Sequence, residues 1–235
     1  MDIIYQEKFF RNLGLDALSK KEHEKIAKTN FCIIGVGGTG CAAIEMLARM
    51  GAQNFTIFDY DRVELSNFNR QIFTTDNTID RKKTDVAKER IHLINSNAKV
   101  KTYFEKFESK DIKKIKNCDI IIDCSDSVTT HIEIDNASKK LKIPFVCCSA
   151  NNSIGLVSIF SDKTKFETVF QINKKNMRAY LTCRSILAPV ANISGNLAAM
   201  QAVNKVIGKQ FVKAPDVLFF DLFRNKEMFY VKRLE

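Results

Sequence analysis

Short apolar runs alternating with helical patterns along 235 residues predict an α/β protein. The expected fold is Rossmann-like: a mostly parallel twisted sheet with helices on both faces and a C-terminal antiparallel extension. Three observations carry this. Phe31–Ile34 is an apolar run that ends in Gly35-Val36-Gly37-Gly38-Thr39-Gly40, a glycine-rich loop opening a helical pattern. Asp119–Cys124 is almost continuously apolar, as in a strand covered on both faces. Val217–Phe223 and Met228–Val231 flank Arg224-Asn225-Lys226, as in a closing hairpin.

Taken in order, residues 1–30 are charged, with apolar positions Phe9, Phe10, Leu13, Leu15, Leu18 and Ile26, and read as an N-terminal helical arm. Phe31–Ile34 is the first buried strand. Cys41–Met50 has helical spacing, with Gly51 placed as its C-terminal cap. Asn54–Phe58 is the next strand and leads into Asp59. Thr84–Asn95 puts Val86, Ala87, Ile91 and Ile94 on one helical face. Val100–Phe104 reads as a strand and Lys110–Lys116 as part of a basic helix. Asp119–Cys124 is the central strand, and a helix ends over Ser138–Lys142. Pro144 opens the strand Phe145–Ser149, and Gly155–Phe160 is another. Residues 161–182 lack periodicity and read as a loop, inside a crossover segment taken as 161–192. Apolar residues at 193, 197, 200, 203 and 207 mark a helix that Gly208 terminates. The chain, 1–235, reads as one domain.

Hydrophobic content of 45% and charged content of 27% are ordinary for a soluble domain, and this length buries a core without disulfides or metal. Met1–Leu13 carries Asp2, Glu7, Lys8 and Arg11 and no apolar h-region, so no secretory leader is expected. No apolar run approaches the roughly 18 residues of a membrane span. A cytoplasmic protein is expected. The seven cysteines contain no C-x-x-C pair, so no zinc site is expected and most read as reduced core residues. The net charge of +10 is spread over dispersed lysines without arginine–aromatic interleaving. It reads as a solvated basic surface, with attraction for a nucleotide or an acidic partner as the functional alternative. Neither nucleic acid nor membrane is expected as a partner.

The chemistry begins at the loop. Glycines let the backbone approach phosphates, and the helix N-terminus directs its free N–H groups at an anion. The plainer alternative is a turn needed only for strand–helix packing. Asp59, nineteen residues after Gly40, stands where a carboxylate accepts ribose hydroxyls. Up to here a nicotinamide-dependent dehydrogenase is the natural reading. The next segment, Asp59-Tyr60-Asp61 through Asn67, Asn69, Arg70 and Gln71, is too polar for that, and Lys83 follows at a helix start. Arginine and lysine converging on one nucleotide suit a triphosphate undergoing displacement; hydride transfer has no such need. For Arg70 alone, a surface ion pair is the plainer reading. Asp123 and Asp126 sit at the C-terminal end of the central strand. Asp126 is the candidate to hold Mg2+, which favours one or two carboxylates plus phosphate oxygens, with helix capping as its alternative. Asp123 would cap the following helix or pair with a base.

The runs G-x-G-G-x-G, D-x-D-x-V-x-x-S-N-x-x-R-Q, a lysine before a helix, and D-x-S-D resemble the ThiF/MoeB/HesA family, bacterial relatives of the ubiquitin-activating enzymes. The resemblance covers roughly residues 5–210 and extends to Thr182-Cys183 and Ala188-Pro189 through Gly195. It implies a homodimeric enzyme that uses ATP to adenylate the C-terminal glycine of a small ubiquitin-like sulfur carrier ending in Gly-Gly, for thiamine or molybdopterin synthesis. Pyrophosphate is released. Gly35, Gly37, Gly38, Gly40, Asp59, Asp61, Asn67, Arg70, Lys83 and Asp126 match the family's ATP and Mg2+ site. Arg11 is placed like an arginine that reaches into the partner subunit's site, with Lys8 as fallback. Cys183 matches a thiol that in some members receives the activated carboxylate, and Arg184 beside it would favour thiolate; an idle thiol is the alternative. Missing C-x-x-C pairs imply a zinc-free branch. Other readings are adenylation of a short peptide, cyclisation of a modified tRNA adenosine, or an inactive scaffold subunit. The last is opposed by the presence of Arg70 and Asp126.

Overall fold

The structure is a computed structural model that describes residues 7–13, 18–161, 163–172 and 185–234. The helical arm holds α1 (Phe10–Leu13) and α2 (Lys20–Lys28). Ser19 starts α2 with a capping box: its hydroxyl accepts the Glu22 N–H, and its own N–H donates to the Glu22 carboxylate at 2.7 Å.

One eight-stranded sheet follows: β1 (Asn30–Ile34), β2 (Asn54–Phe58), β3 (Lys99–Tyr103), β4 (Ile120–Asp123), β5 (Phe145–Asn151), β6 (Ile154–Phe160), β7 (Asp216–Asp221) and β8 (Phe229–Arg233). Their spatial order is β3-β2-β1-β4-β5-β6-β7-β8; the first five run parallel and the last three join antiparallel. The expected Rossmann-like sheet and antiparallel extension are both present. β1 lies between β2 and β4, with Phe31 opposite Phe55 and Ile120. The chain builds outward from β1 to β3, then returns to the other side of β1. That reversal opens a crevice beyond the C-terminal ends of β1 and β4, where open α/β sheets bind ligands.

Strand side chains alternate between two cores. Phe31, Ile33, Ile57 and Ile122 face α3 (Gly38–Arg49), α4 (Lys83–Ile94) and α8 (Ala188–Ile207). Cys32, Ile34, Phe58 and Ile121 face α5 (Ile112–Ile115), α6 (Val128–Leu141) and α7 (Phe166–Val169). Each large apolar side chain so buried contributes about 1.5–3 kcal/mol. Edge strand β3 carries exposed Lys99 and Lys101, which discourage pairing with another chain.

Most element ends shift by one to three residues from the sequence reading, and three differences are larger. The long helix begins at Ala188, not near Ile193, because Pro189 falls in its first turn, where a missing N–H is harmless. The crossover segment therefore stops at Leu187 rather than 192, and α7 lies inside it. Lys110–Lys116 is not one helix but a 3-10 turn, Ser109–Asp111, followed by α5.

Candidate active site

The glycine loop is shaped by its neighbours. Gly35 adopts φ +94°, donates its N–H to the Phe58 carbonyl at 2.8 Å, and leaves no room for a side chain against the Cys124 carbonyl. A Cβ on Gly40 would stand 2.0 Å from the Gly35 carbonyl oxygen. Gly40 is thus a packing residue beneath the loop rather than part of the cavity wall. Gly37 is different: a Cβ there would meet nothing within 4 Å. Among the described residues no contact requires a glycine at this position, which caps α3 without a side-chain hydrogen bond and lines the cavity. The first helical hydrogen bond is made by Cys41 N–H, so the N–H groups of Gly38, Thr39 and Gly40 precede the ladder.

A cavity of about 1010 Å³ opens beyond β1 and β4. It brings together Gly35, Gly37, Gly38, Asp59, Asp61, Asn67, Arg70, Lys83 and Asp126 from five separate stretches of chain. The buried Asp59 carboxylate accepts the Val36 N–H at 2.6 Å and the Asp61 N–H at 2.7 Å. Its first task is to hold the glycine loop against β2, and one lone pair on each oxygen is left for a ligand. Burial pushes its carboxyl up, opposed by the Lys83 charge and the two N–H bonds. Lys83 starts α4, and its nearly buried ammonium lies 2.9 Å from the Asp61 carboxylate. Asp61 therefore aims Lys83.

Arg70 donates through Nη1 to the Ser66 carbonyl at 3.0 Å and to Asn69 Oδ1 at 2.8 Å, which holds its stem along the cavity wall. Asn67 is buried: its Oδ1 accepts the Glu64 N–H at 3.2 Å and its Nδ2 donates to the Ser66 hydroxyl at 3.2 Å. It shapes the turn that presents Arg70. Asn192 of α8 donates to the Arg70 carbonyl at 3.4 Å, tying this turn to the long helix.

Asp126 is exposed on the loop between β4 and α6. Ser127, rather than either aspartate, caps α6. Asp123 takes the second of its two expected roles, pairing with a base, and that partner is a residue the sequence reading missed. Its buried carboxylate accepts the Ser125 N–H at 3.1 Å, the Ser125 hydroxyl at 2.8 Å and His131 Nδ1–H at 2.7 Å. His131 also lines the cavity. Burial pulls its pKa down, but the Asp123 carboxylate outweighs this and the net shift is upward. The available signal was an Asp at a strand end with a His one turn into the next helix.

Besides Gly40, Arg11 is an expected residue that lies outside this cavity. Arg11 is exposed on α1, whose neighbours Lys8 and Asn12 donate to the carbonyls of Ile94 at 3.4 Å and Arg49 at 2.9 Å. Those carbonyls end α4 and α3, whereas the glycine loop begins α3, about 18 Å away at 1.5 Å per residue over twelve residues. Cys183 lies outside the described residues, as does Arg184. The other cysteines are free and buried, and burial pushes the Cys41 thiol up to about 12.

The ThiF family model matches residues 9–234. The chain belongs to the ThiF family. A molybdopterin-synthase adenylyltransferase of Haemophilus influenzae is 30% identical over 199 residues, which is 83% of this chain and 82% of that protein. The sulfur carrier protein ThiS adenylyltransferase of Escherichia coli K12 is 27% identical over 217 residues, 91% of this chain and 86% of that protein. With this family and these relatives goes the enzyme class: the chain is an adenylyltransferase. The structure of E. coli MccB with ATP matches with a TM-score of 0.77 at 18% identity, over 91% of this chain and 66% of that one, and shows the shared fold. Among the described residues, no helix is long and apolar enough to cross a membrane.

Proposed function

We propose that this adenylyltransferase uses MgATP to adenylate the C-terminal carboxylate of a small ubiquitin-like sulfur carrier, ThiS-like or MoaD-like, ending in Gly-Gly. The observation that carries the reading is the single cavity in which Gly37 leaves a helix N-terminus open beside Arg70, Lys83 and Asp126. A cradle that a Cβ would fill fits phosphates. Two cations fit the charge of a triphosphate, and one exposed carboxylate fits a magnesium ion carried in on phosphate oxygens. The names of the two relatives support the carrier.

In this reading the N–H groups of Gly38 and Thr39 hold the phosphates and Asp59 accepts the ribose hydroxyls. The carrier carboxylate attacks the α-phosphorus in line and pyrophosphate leaves. Both reactants are anions, so positioning and charge neutralisation are the main tasks, and Arg70 and Lys83 perform them. Magnesium on Asp126 would neutralise further phosphate charge. Arg11, remote from the cavity of its own chain, would complete the site of a partner subunit in a homodimer.

Carrier-dependent exchange of labelled pyrophosphate into ATP tests this. Arg70→Ala and Asp126→Ala are each expected to slow exchange about 100- to 1000-fold, the usual consequence of removing one transition-state contact. Wild-type exchange in both variants would remove the mechanism.

A further inference from the structure

Adenylation needs no base, because a carboxylate is already ionised at neutral pH. The cavity nevertheless contains an oriented aspartate–histidine pair. We propose that His131, held by Asp123, is the general base of the step after adenylation, in which a thiol attacks the acyl-adenylate. This rests on the adenylation reading and assigns a proton acceptor to the thiol step that follows it.

The orientation follows from the hydrogen bonds. Asp123 Oδ2, an acceptor, lies 2.7 Å from His131 Nδ1. Ser125 donates its hydroxyl to Asp123 Oδ1 at 2.8 Å, so it offers no proton to the ring nitrogen 3.2 Å away. Nδ1 therefore carries the proton in the neutral ring. The lone pair is on Nε2, the remaining nitrogen of a residue that lines the cavity. An imidazole fixed by a buried carboxylate on Nδ1, with its lone pair on Nε2, is the arrangement in which histidine takes a proton from a nucleophile.

A thiol has a pKa near 8.5 and is mostly protonated at neutral pH, so its attack gains from a base. The step balances without an oxidant. The sulfur–carbon bond forms and the bond from the acyl carbon to the AMP oxygen breaks. AMP leaves with that electron pair, and the S–H proton passes to Nε2 and then to water. The product is a thioester.

Other groups near His131 fix the expected pH range. Asp123 from the end of β4 and Asp126 from the following loop act on its charge, and the uncharged ring of Phe166 on α7 lies 5.1 Å from the imidazole. On α6 itself, Asp135 one turn on is neutralised by Lys139. Two carboxylates favour the imidazolium, so the basic form gains population above the ordinary histidine range.

The test compares two half-reactions of the same enzyme: pyrophosphate exchange with ATP and carrier, and AMP release from the preformed adenylate on adding dithiothreitol. His131→Gln is expected to slow thiol-dependent AMP release about 100- to 10,000-fold beyond any loss of exchange. His131→Ala is expected to recover part of that release with added imidazole, and Asp123→Asn to shift the pH profile of release to lower pH. Release and exchange falling together, or wild-type release in His131→Gln, would overturn the proposal. No exchange in the wild type would overturn the adenylation reading along with it.

Discussion

Replacing Gly37 and Gly40 separately by alanine divides what the loop does for the fold from what it does for a ligand. At Gly40 the new Cβ would lie 2.0 Å from the Gly35 carbonyl oxygen, a backbone atom that cannot swing aside. Alanine recovers about 0.5–1 kcal/mol of helix propensity. Forcing the loop off its strand costs about 1–3 kcal/mol or more, so the clash wins. Gly40→Ala should lower Tm by several degrees, at about 2–4 °C per kcal/mol for a chain of this size. At Gly37 the backbone has φ −83° and the Cβ meets nothing within 4 Å, so Gly37→Ala should cost at most about 1 kcal/mol, the weaker helix N-cap of alanine offset in part by its stiffer unfolded chain. Its larger defect should appear with ATP. At 100 times Kd, ATP stabilises the wild type by about 2.7 kcal/mol, an increase in Tm of about 5–11 °C. A methyl group in the phosphate cradle should remove most of that shift. Thermal unfolding with and without MgATP reads both effects. An undiminished ATP shift in Gly37→Ala, or wild-type stability in Gly40→Ala, would refute the reasoning.

Three further outcomes are expected. Asp61→Asn frees the Lys83 ammonium from its 2.9 Å partner, so pyrophosphate exchange should fall about tenfold, less than the 100- to 1000-fold of Lys83→Ala; equal losses would contradict a merely aiming role. Buried Glu45 bridges Arg49 and Arg90 at 2.7 and 2.8 Å. Burial raises its carboxyl, but the two arginines outweigh this, leaving the folded pKa below 4.5. Its stabilisation is therefore present above that value and lost as pH falls through the lower folded pKa. Glu45→Gln should cost about 1–3 kcal/mol in urea unfolding at pH 7, and the gap from wild type should narrow in acid; a constant gap would contradict this. Finally, inactive Arg11→Ala and Arg70→Ala chains, mixed and allowed to exchange subunits, should recover about a quarter of wild-type activity, since half the dimers are mixed and each then holds one intact site. No recovery would place Arg11 outside the partner's site.

Much of the site was legible because its signals are local. The loop follows a strand and opens a helix, Asp59 and Asp126 lie at strand exits, and Arg70 and Lys83 occupy a polar stretch that no core could absorb. What stayed hidden depends on tertiary placement. His131 lies one turn into α6, and only the packing of α6 beneath the end of β4 brings its ring to Asp123. Asp61 and Asn67 carry the right chemistry for a ligand, yet the structure commits them to Lys83 and to the turn before Arg70. The short helix α7 has no periodicity of its own. It is held by Phe166 and Phe170, whose rings lie 4.8 Å apart and pack against Phe160. The early start of α8 was obscured by Pro189, which reads as a breaker unless the first turn is known to begin there.

The central claim is that a carrier's C-terminal carboxylate becomes joined to AMP in the cavity between Gly37 and Asp126. The most direct measurement is the intact mass of a small sulfur-carrier protein ending in Gly-Gly after incubation with enzyme and MgATP, beside the same carrier lacking its final glycine. The account expects the mass of AMP on the full-length carrier alone, and no such product with Arg70→Ala enzyme. AMP on the truncated carrier, or an adduct that survives Arg70→Ala, would contradict it.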